Sequence, residues 1–306
     1  MTGSERGVDA TSRDPIKLRL MRIAEFAETI SAHFSPQGTL CPISIIEKVR
    51  DLTWSHGDYG NKFDGLIRFN GRSFHIFLNR ERCARIRGCR GAFTLAHELG
   101  HYFIDNHNHW LRGNPNWVHY SRTDEEDEDE APYERDADVF ATSLLMPAKE
   151  FHQFTSQFRP SAEAIIAAAR HFGVSIPTAA IRVTEIEPWP CAVIHWGRTG
   201  LKKWAKVSPV VKRAFRILRE YHDVTKSLSG DLAISLTAKA LNQQAIGGSQ
   251  KSIPEPWFPR LRIVEQYRGF PMERLLQPID EHVISLGEHG VMTLLSSPTW
   301  YGMDRL

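Results

Sequence analysis

The feature that most constrains this sequence is a cluster of ionisable residues inside a run that is otherwise almost wholly apolar. Residues 91–105 read GAFTLAHELGHYFID, which is too long for one strand and predicts a largely buried helix. Within it, His97, Glu98 and His101 form the pattern HExxH, which a random order of the same composition would produce about 0.04 times. Ionisable groups are costly to bury unless they are paired or bind a metal. The pattern therefore predicts a functional site on this helix.

The spacing of this pattern suits a metal ion. His97 and His101 lie one helical turn apart, so both imidazoles project from one face and can bind the same zinc ion. Glu98 lies beside that position without binding the metal, where its carboxylate can take a proton from water activated by zinc. The alternative is a buried helix whose histidines only form hydrogen bonds, and the cost of burying three ionisable groups argues against it.

A catalytic zinc needs a third protein ligand and an open position for water. In the run YERDADVFA, Glu134 and Asp138 share a helix face, so Glu134 could bind the metal while Asp138 accepts the second N–H of a ligand histidine. Asp136 points to another face, and Glu130 lies in an acidic run before a proline. Two histidines also stay open as third ligands: His107 and His109. Three tyrosines near the pattern could donate a hydrogen bond to a developing oxyanion: Tyr102, Tyr120 and Tyr133.

Periodicity elsewhere predicts both helices and strands, so the fold class is α+β. Alternating residues flank an Asn70-Gly71 pair, the strongest short-range hairpin signal, over residues 62–78. Residues 1–15 are polar and are expected to be disordered, and the polar segment 107–132 predicts an exposed loop. Helical spacing predicts helices over residues 16–33, 42–49, 133–146, 161–173 and 176–185, and strands follow residue 190.

A proline-containing stretch, EPWPC, marks the boundary between two predicted domains. The first domain, residues 16–188, carries the metal-binding pattern. It ends in two predicted helices at about 161–185 whose sequence pattern resembles a helix-turn-helix. Residues 189–306 are expected to form a C-terminal accessory or sensing domain of α/β type. Within it, residues 190–275 hold 15 Lys or Arg against 6 Asp or Glu.

Composition narrows the class of protein further. With 42% apolar and 24% charged residues the chain is expected to be globular, and a net charge of +2 does not by itself imply a polyanionic partner. The four cysteines include no CxxC pair, which is typical of reduced thiols. No run approaches the ~18 apolar residues of a membrane span, and the first residues lack an apolar signal region, so a cytoplasmic protein is expected.

Two blocks, GAFTLAHELGHYFI and ERDADVFATSLLMP, resemble the paired signature of the ImmA/IrrE family of zinc metallopeptidases. The resemblance covers about residues 40–185 and implies a minimal zincin-like fold of helices with a small antiparallel sheet. It implies that His97, His101 and Glu134 bind zinc, for which manganese could substitute in vitro, and that Glu98 is the general base. It also implies a substrate, a helix-turn-helix repressor whose cleavage relieves repression of phage, mobile-element or stress-response genes.

A second function stays open because the C-terminal third does not match the family pattern. The alternative is a DNA-binding or protein-binding regulator that uses the zincin domain as a scaffold and cuts little. The helix pair at 161–185 offers only Arg182 as a reader of bases or phosphates, so packing is favoured over direct DNA binding. The seven consecutive acids from Asp124 to Glu130 are interpreted as a solvated loop, with attraction of a basic partner as the alternative.

Overall fold

The computed structural model describes residues 14–35, 40–60, 62–85, 88–115, 132–198, 202–212, 248–252 and 279–300. Within them the chain has the α+β fold expected from the sequence, and it divides into two compact units. The first unit is Met1–Ala148 with His171–Val174, and the second is Lys149–Arg170 with Ser175–Leu306. The boundary predicted after residue 188 lies inside the second unit and stays a prediction. The acidic run and Tyr120 lie outside the described residues.

The first unit contains helices and a small sheet. In its described residues these are α1 (Pro15–Phe34), α2 (Pro42–Ile46), β1 (Leu52–Gly57), β2 (Gly65–Phe69), β3 (Phe74–Asn79), α3 (Cys89–Phe103), α4 (Asp105–Gly113) and α5 (Pro132–Leu145). Local chemistry explains where the first helix begins. The Asp14 side chain accepts a hydrogen bond from the backbone N–H of Ile16 at 3.0 Å, and Pro15 supplies the fixed φ of a first turn.

The three strands lie in the order β1–β3–β2. β2 and β3 form the predicted antiparallel hairpin, with Ile67 opposite Ile76, and Gly71 in the turn has a φ of 90°. β1, which the sequence pattern does not predict, pairs parallel with β3 and places Trp54 opposite Ile76. The sheet is therefore mixed where an antiparallel one was expected, because β1 joins the side of β3 that the hairpin leaves open.

The helix α3 is central to the first unit. It packs against β2, β3 and α5, while α1 packs against α5. These contacts explain the apolar run, since every residue from Thr94 to His101 is buried. A Cβ atom placed on Gly100 would lie only 3.0 Å from the Cα of Ala137, so α3 and α5 approach to near backbone contact there. This close crossing brings the start of α5 over the HExxH pattern.

The structure corrects the first part of the exposed loop predicted over residues 107–132, while residues 116–131 lie outside the described residues. Ile104 is extended (φ −76°, ψ 115°) between α3 and α4, and the chain is then helical as far as Gly113. A polar composition conceals α4 in the sequence, because only His107 and Leu111, four residues apart, are buried. The consequence is that His107 lies back against α3 and does not project from a solvated loop.

The second unit holds most of the remaining elements. They are α6 (Ala148–Thr155), α7 (Ala162–Phe172), α8 (Ile176–Ile186), β4 (Cys191–Trp196), β5 (Lys202–Val207), β6 (Gly248–Ser252), β7 (Ile279–Ser285) and β8 (Val291–Ser296). The strands lie in the order β5–β4–β8–β7–β6 and each neighbouring pair is antiparallel. Trp189, Trp196 and Trp300 are buried, and the indole N–H of Trp196 donates to Thr293 Oγ1 at 3.0 Å.

The helices α7 and α8 meet at the angle typical of a helix-turn-helix. They are bent by 106°, and Gly173 between them has a φ of 66°. Arg182, the basic residue of α8, is only 6% exposed and its Nη1 lies 3.2 Å from Glu185 Oε2, which fits packing within the protein. No single helix in the described residues has the length and apolar composition of a membrane span; α7 and α8 reach both only as this bent pair.

Candidate metal centre

Three of the residues singled out in the sequence come together between α3 and α5. The Nε2 atoms of His97 and His101 lie 3.1 Å apart. Glu134 places Oε2 at 3.2 Å from His97 Nε2 and Oε1 at 3.3 Å from His101 Nε2. All three ligand atoms lie within 4.8 Å of one another, and both histidines are buried. Two imidazole nitrogens and a carboxylate oxygen thus form a group that could hold a metal ion.

Asp138, one helical turn after Glu134 on α5, contacts His97. Its Oδ1 is 2.8 Å from Nδ1 of His97, on the side of the ring that faces away from Glu134. A carboxylate here accepts the Nδ1 proton, which leaves the lone pair of Nε2 directed at the centre of the group. The contact therefore fixes both the orientation and the tautomer of His97.

Two alternatives considered for the third ligand, His107 and Asp136, do not belong to the three converging groups. They lie on the Nδ1 side of the His101 ring. His107 Nδ1 lies 3.1 Å from His101 Nδ1, and His107 Nε2 lies 3.7 Å from Asp136 Oδ2. Asp136 Oδ1 in turn contacts Arg19 Nη2 at 3.1 Å. Sequence reasoning missed this chain of contacts, because it depends on α4 folding back onto α3 and on α1 packing against α5. His109 is exposed on α4, and Glu130 lies outside the described residues.

Glu98 is fully buried beside the converging group, against β2. A Cβ atom on Gly65 would lie 2.8 Å from Glu98 Oε1 and would also collide with the Thr94 side chain. Only glycine therefore leaves room for the carboxylate at this point of the strand. The sequence offered no signal for this role of Gly65, since a glycine within a predicted strand is not specific to a site.

The electrostatics of the group favour a positive charge at its centre. Burial disfavours the protonated imidazole of His97, but hydrogen bonds to Asp138 and Glu134 and the charge of Glu98 outweigh burial, and the pKa of His97 lies well above its ordinary value. The same carboxylates would stabilise a divalent cation. Imidazole and carboxylate ligands suit zinc and other first-row divalent metals, so the residues present fit the metal that the sequence pattern implies.

Two of the three candidate tyrosines, Tyr102 and Tyr133, lie among the described residues and differ in position relative to the three converging residues. Tyr102 donates its hydroxyl hydrogen to Asp51 Oδ1 at 2.5 Å, and burial together with this bond raises the pKa of Tyr102. Its hydroxyl is thus directed away from the converging group. The Tyr133 ring lies 6.4 Å from the His101 ring and 6.2 Å from the His107 ring, between ring centroids. Tyr133 is therefore the better placed of the two for contact with a substrate.

Comparison with known proteins agrees with this geometry. Residues 88–184 match the family model of the IrrE N-terminal-like domain, peptidase M78. No curated protein matches the chain. Among solved structures, a Mycobacterium tuberculosis transcriptional regulator is 14% identical with a TM-score of 0.56, over 92% of this chain and 80% of that chain. At this identity the likeness shows a shared fold.

The family match includes both the HExxH helix and the helix that carries Glu134. It begins at the start of α3 and runs into the last turn of α8, so it contains all three converging residues and Glu98. The resemblance inferred from the two sequence blocks is confirmed, and residues 88–184 form an IrrE N-terminal-like domain of the ImmA/IrrE metallopeptidase family.

Proposed function

We propose that this protein is a cytoplasmic zinc endopeptidase that cuts a helix-turn-helix repressor at one site and so relieves repression. The observation that carries the proposal is the convergence of His97, His101 and Glu134, with Glu98 buried beside them, within an IrrE N-terminal-like domain. Two histidines and a glutamate are a ligand set used by catalytic zinc in peptidases, where one position is left for water or substrate.

The roles of the protein groups follow from their positions. His97, His101 and Glu134 would hold a zinc ion, which would supply Lewis acidity for the peptide carbonyl and for water near neutral pH. Glu98 accepts the proton of the attacking water and returns it to the leaving amine nitrogen. Asp138 and His107 hold the two histidine rings in orientation through their Nδ1 atoms. Tyr133 is placed to contact the substrate near His101.

The choice of a repressor as substrate rests on the family resemblance and on charge. A DNA-binding substrate is basic, and the sequence carries seven consecutive acids close to the ligand Glu134. Complementary charge speeds the encounter of two proteins and selects between partners. We propose that docking of this kind, and not the sequence around the cut alone, restricts cleavage to one protein.

The test is to incubate the protein with a candidate helix-turn-helix repressor, the first choice being one from a neighbouring gene, and to map fragments by mass spectrometry. Wild-type protein should give one discrete cut. Glu98→Gln should give none while keeping its metal, because glutamine cannot accept the proton. Glu150→Gln, an exposed glutamate on α6, serves as the matched control and should cut like wild type.

The scaffold alternative predicts a different result in the same experiment. If wild type and Glu98→Gln release the repressor from DNA equally, with no fragments, the protein acts by binding and not by proteolysis. Direct DNA binding through α8 is the weaker form of this alternative, since Arg182 is buried and bonded to Glu185.

A further inference from the structure

A cavity of about 380 Å³ opens beside the candidate metal centre, and His101 forms part of its wall. The rest of the wall comes from four elements of the first unit, α1, β2, α4 and α5. Ile67 and Leu111 line its apolar part, and Trp110 and Tyr133, which are 44% and 41% exposed, also line it. Cavities of about 300–1,000 Å³ are typical of small-molecule sites, so this one is large enough for a bulky side chain.

We propose that this cavity binds a large apolar side chain of the substrate, aromatic or leucine-like, next to the peptide bond that is cut. The inference rests on the proposed function and adds to it the chemical class of residue that the enzyme selects at the cut. It assigns a specificity role to Leu111, Trp110 and Tyr133.

Charge within the cavity favours an uncharged occupant. The charged groups in the wall are Arg19 and Asp136, and they contact each other at 3.1 Å. Asp136 is only 2% exposed, so its negative charge is turned toward Arg19 and His107 and away from the opening. The Arg19 side chain is 40% exposed but already pairs with Asp136, so a charged occupant would lose its hydration on entry and meet only a charge that it must share, which is costly. An apolar side chain would instead bury its surface against the exposed rings of Trp110 and Tyr133.

The position of the cavity links its occupant to the cut. His101 belongs both to the cavity wall and to the converging group, and Tyr133 of the wall precedes Glu134 in the chain, so the cavity adjoins the candidate metal centre on the His101 side. Trp110 and Tyr133 are large aromatic residues that remain partly exposed, and the occupant would cover them. Burial of such surface is what gives apolar pockets their selectivity.

The test uses binding and does not require turnover. Four peptide hydroxamates, which chelate zinc, carry either a benzyl or a methyl side chain, placed either before or after the chelating group. Isothermal titration calorimetry on the zinc-loaded full chain measures their affinities. In one of the two orientations the benzyl compound should bind about 10- to 100-fold more tightly than the methyl compound.

Two substitutions should remove this preference. Leu111→Trp fills the cavity and should bring the two affinities together, while the methyl compound still binds. Trp110→Ala, at a position that is 44% exposed, should reduce the preference several-fold while the chain stays folded. Phe158→Ala removes a partly exposed aromatic residue outside the cavity and should leave the preference intact.

The outcomes separate this inference from the proposed function. Equal binding of benzyl and methyl compounds in both orientations would overturn the cavity proposal and leave an accessible metal centre in place. A preference that persists unchanged in both Leu111→Trp and Trp110→Ala would overturn the assignment to this cavity. Failure of every hydroxamate to bind the zinc-loaded protein would overturn both proposals, because an open metal position is common to them.

Discussion

At the scale of single residues, the nitrogen that each histidine offers to a metal follows from what its other nitrogen contacts. His97 contacts Asp138 through Nδ1, which leaves Nε2 for the metal. If His101 also binds through Nε2, its Nδ1 carries the proton and donates to Nδ1 of His107. His107 must then carry its own proton on Nε2, directed toward Asp136 at 3.7 Å. One metal ion would thus set the tautomers of three rings.

Removal of the third ligand is the most direct test of the centre. Glu134→Ala should lose most of the bound zinc, because two histidines alone leave the tetrahedral set incomplete. His97→Ala and His101→Ala should do the same. Zinc per chain after dialysis is measured by mass spectrometry of the metal, with Glu150→Ala on the exposed face of α6 as the control. Full retention of zinc by Glu134→Ala would show that another residue is the ligand.

Asp138→Asn should have a milder effect. The asparagine carbonyl can still accept the Nδ1 proton of His97, but it carries no charge, so zinc affinity or activity should fall about 10- to 100-fold. Competition with a chelator of known affinity measures the change in affinity. A loss as complete as that of Glu134→Ala would instead place Asp138 among the ligands.

Gly65→Ala should separate the position of Glu98 from metal binding. The added methyl group would lie 2.8 Å from Glu98 Oε1 and must displace the carboxylate. Because a displacement of about 1 Å in a catalytic group can cost about a hundredfold in rate, cleavage should fall by that order while zinc stays bound. Repressor cleavage rates and zinc content are measured on the same samples. Unchanged cleavage would show that Gly65 does not determine the position of Glu98.

At the scale of secondary-structure elements, the sequence predicted those whose signal is local. The hairpin follows from Asn70-Gly71, and the helix around Glu134 follows from its spacing of apolar residues. Two elements were missed because tertiary contacts determine them: α4 has only two buried side chains, and β1 lacks regular alternation. The three converging residues were predictable because they lie on these local elements. The contact between His101 and His107 was not predictable, because His107 lies on α4, a helix that the sequence pattern did not predict.

The crossing of α3 and α5 can be tested at Gly100. Alanine has a higher helix propensity by about 1 kcal/mol, but its methyl group would lie 3.0 Å from the Cα of Ala137, a backbone atom that cannot move alone. Overpacking of this kind costs about 1–3 kcal/mol, so Gly100→Ala should lower the free energy of unfolding on balance. Urea denaturation measures it.

Gly113→Ala is the matched control for this prediction. It also lies in a helix, but a methyl group there would meet nothing within 4 Å. Gly113→Ala should therefore leave stability unchanged or raise it slightly. If Gly100→Ala were as stable as Gly113→Ala, the close helix crossing would not be a constraint on the fold.

At the scale of the whole molecule, the candidate centre and the cavity belong to the first unit, while the second unit has a core of its own around Trp189, Trp196 and Trp300. The sequence indicated strands after residue 190, but it could not give their order. Val193 of β4 pairs with Leu294 of β8, a partner far along the chain, and no local pattern encodes such a pairing.

A chain that ends at residue 188 should therefore still bind about one zinc, because every candidate ligand lies in the first unit and before residue 140. It should be less soluble, since α8 packs against β4 and removal of β4 exposes apolar surface that the full chain buries. Zinc is measured on the monomeric fraction whose circular dichroism shows folded helices. The same shortened chain with His101→Ala is the control and should hold no zinc.

Two other outcomes would be informative. A folded but zinc-free shortened chain would show that residues beyond 188 take part in the metal centre. Retained zinc with lost repressor cleavage would assign substrate docking to the second unit.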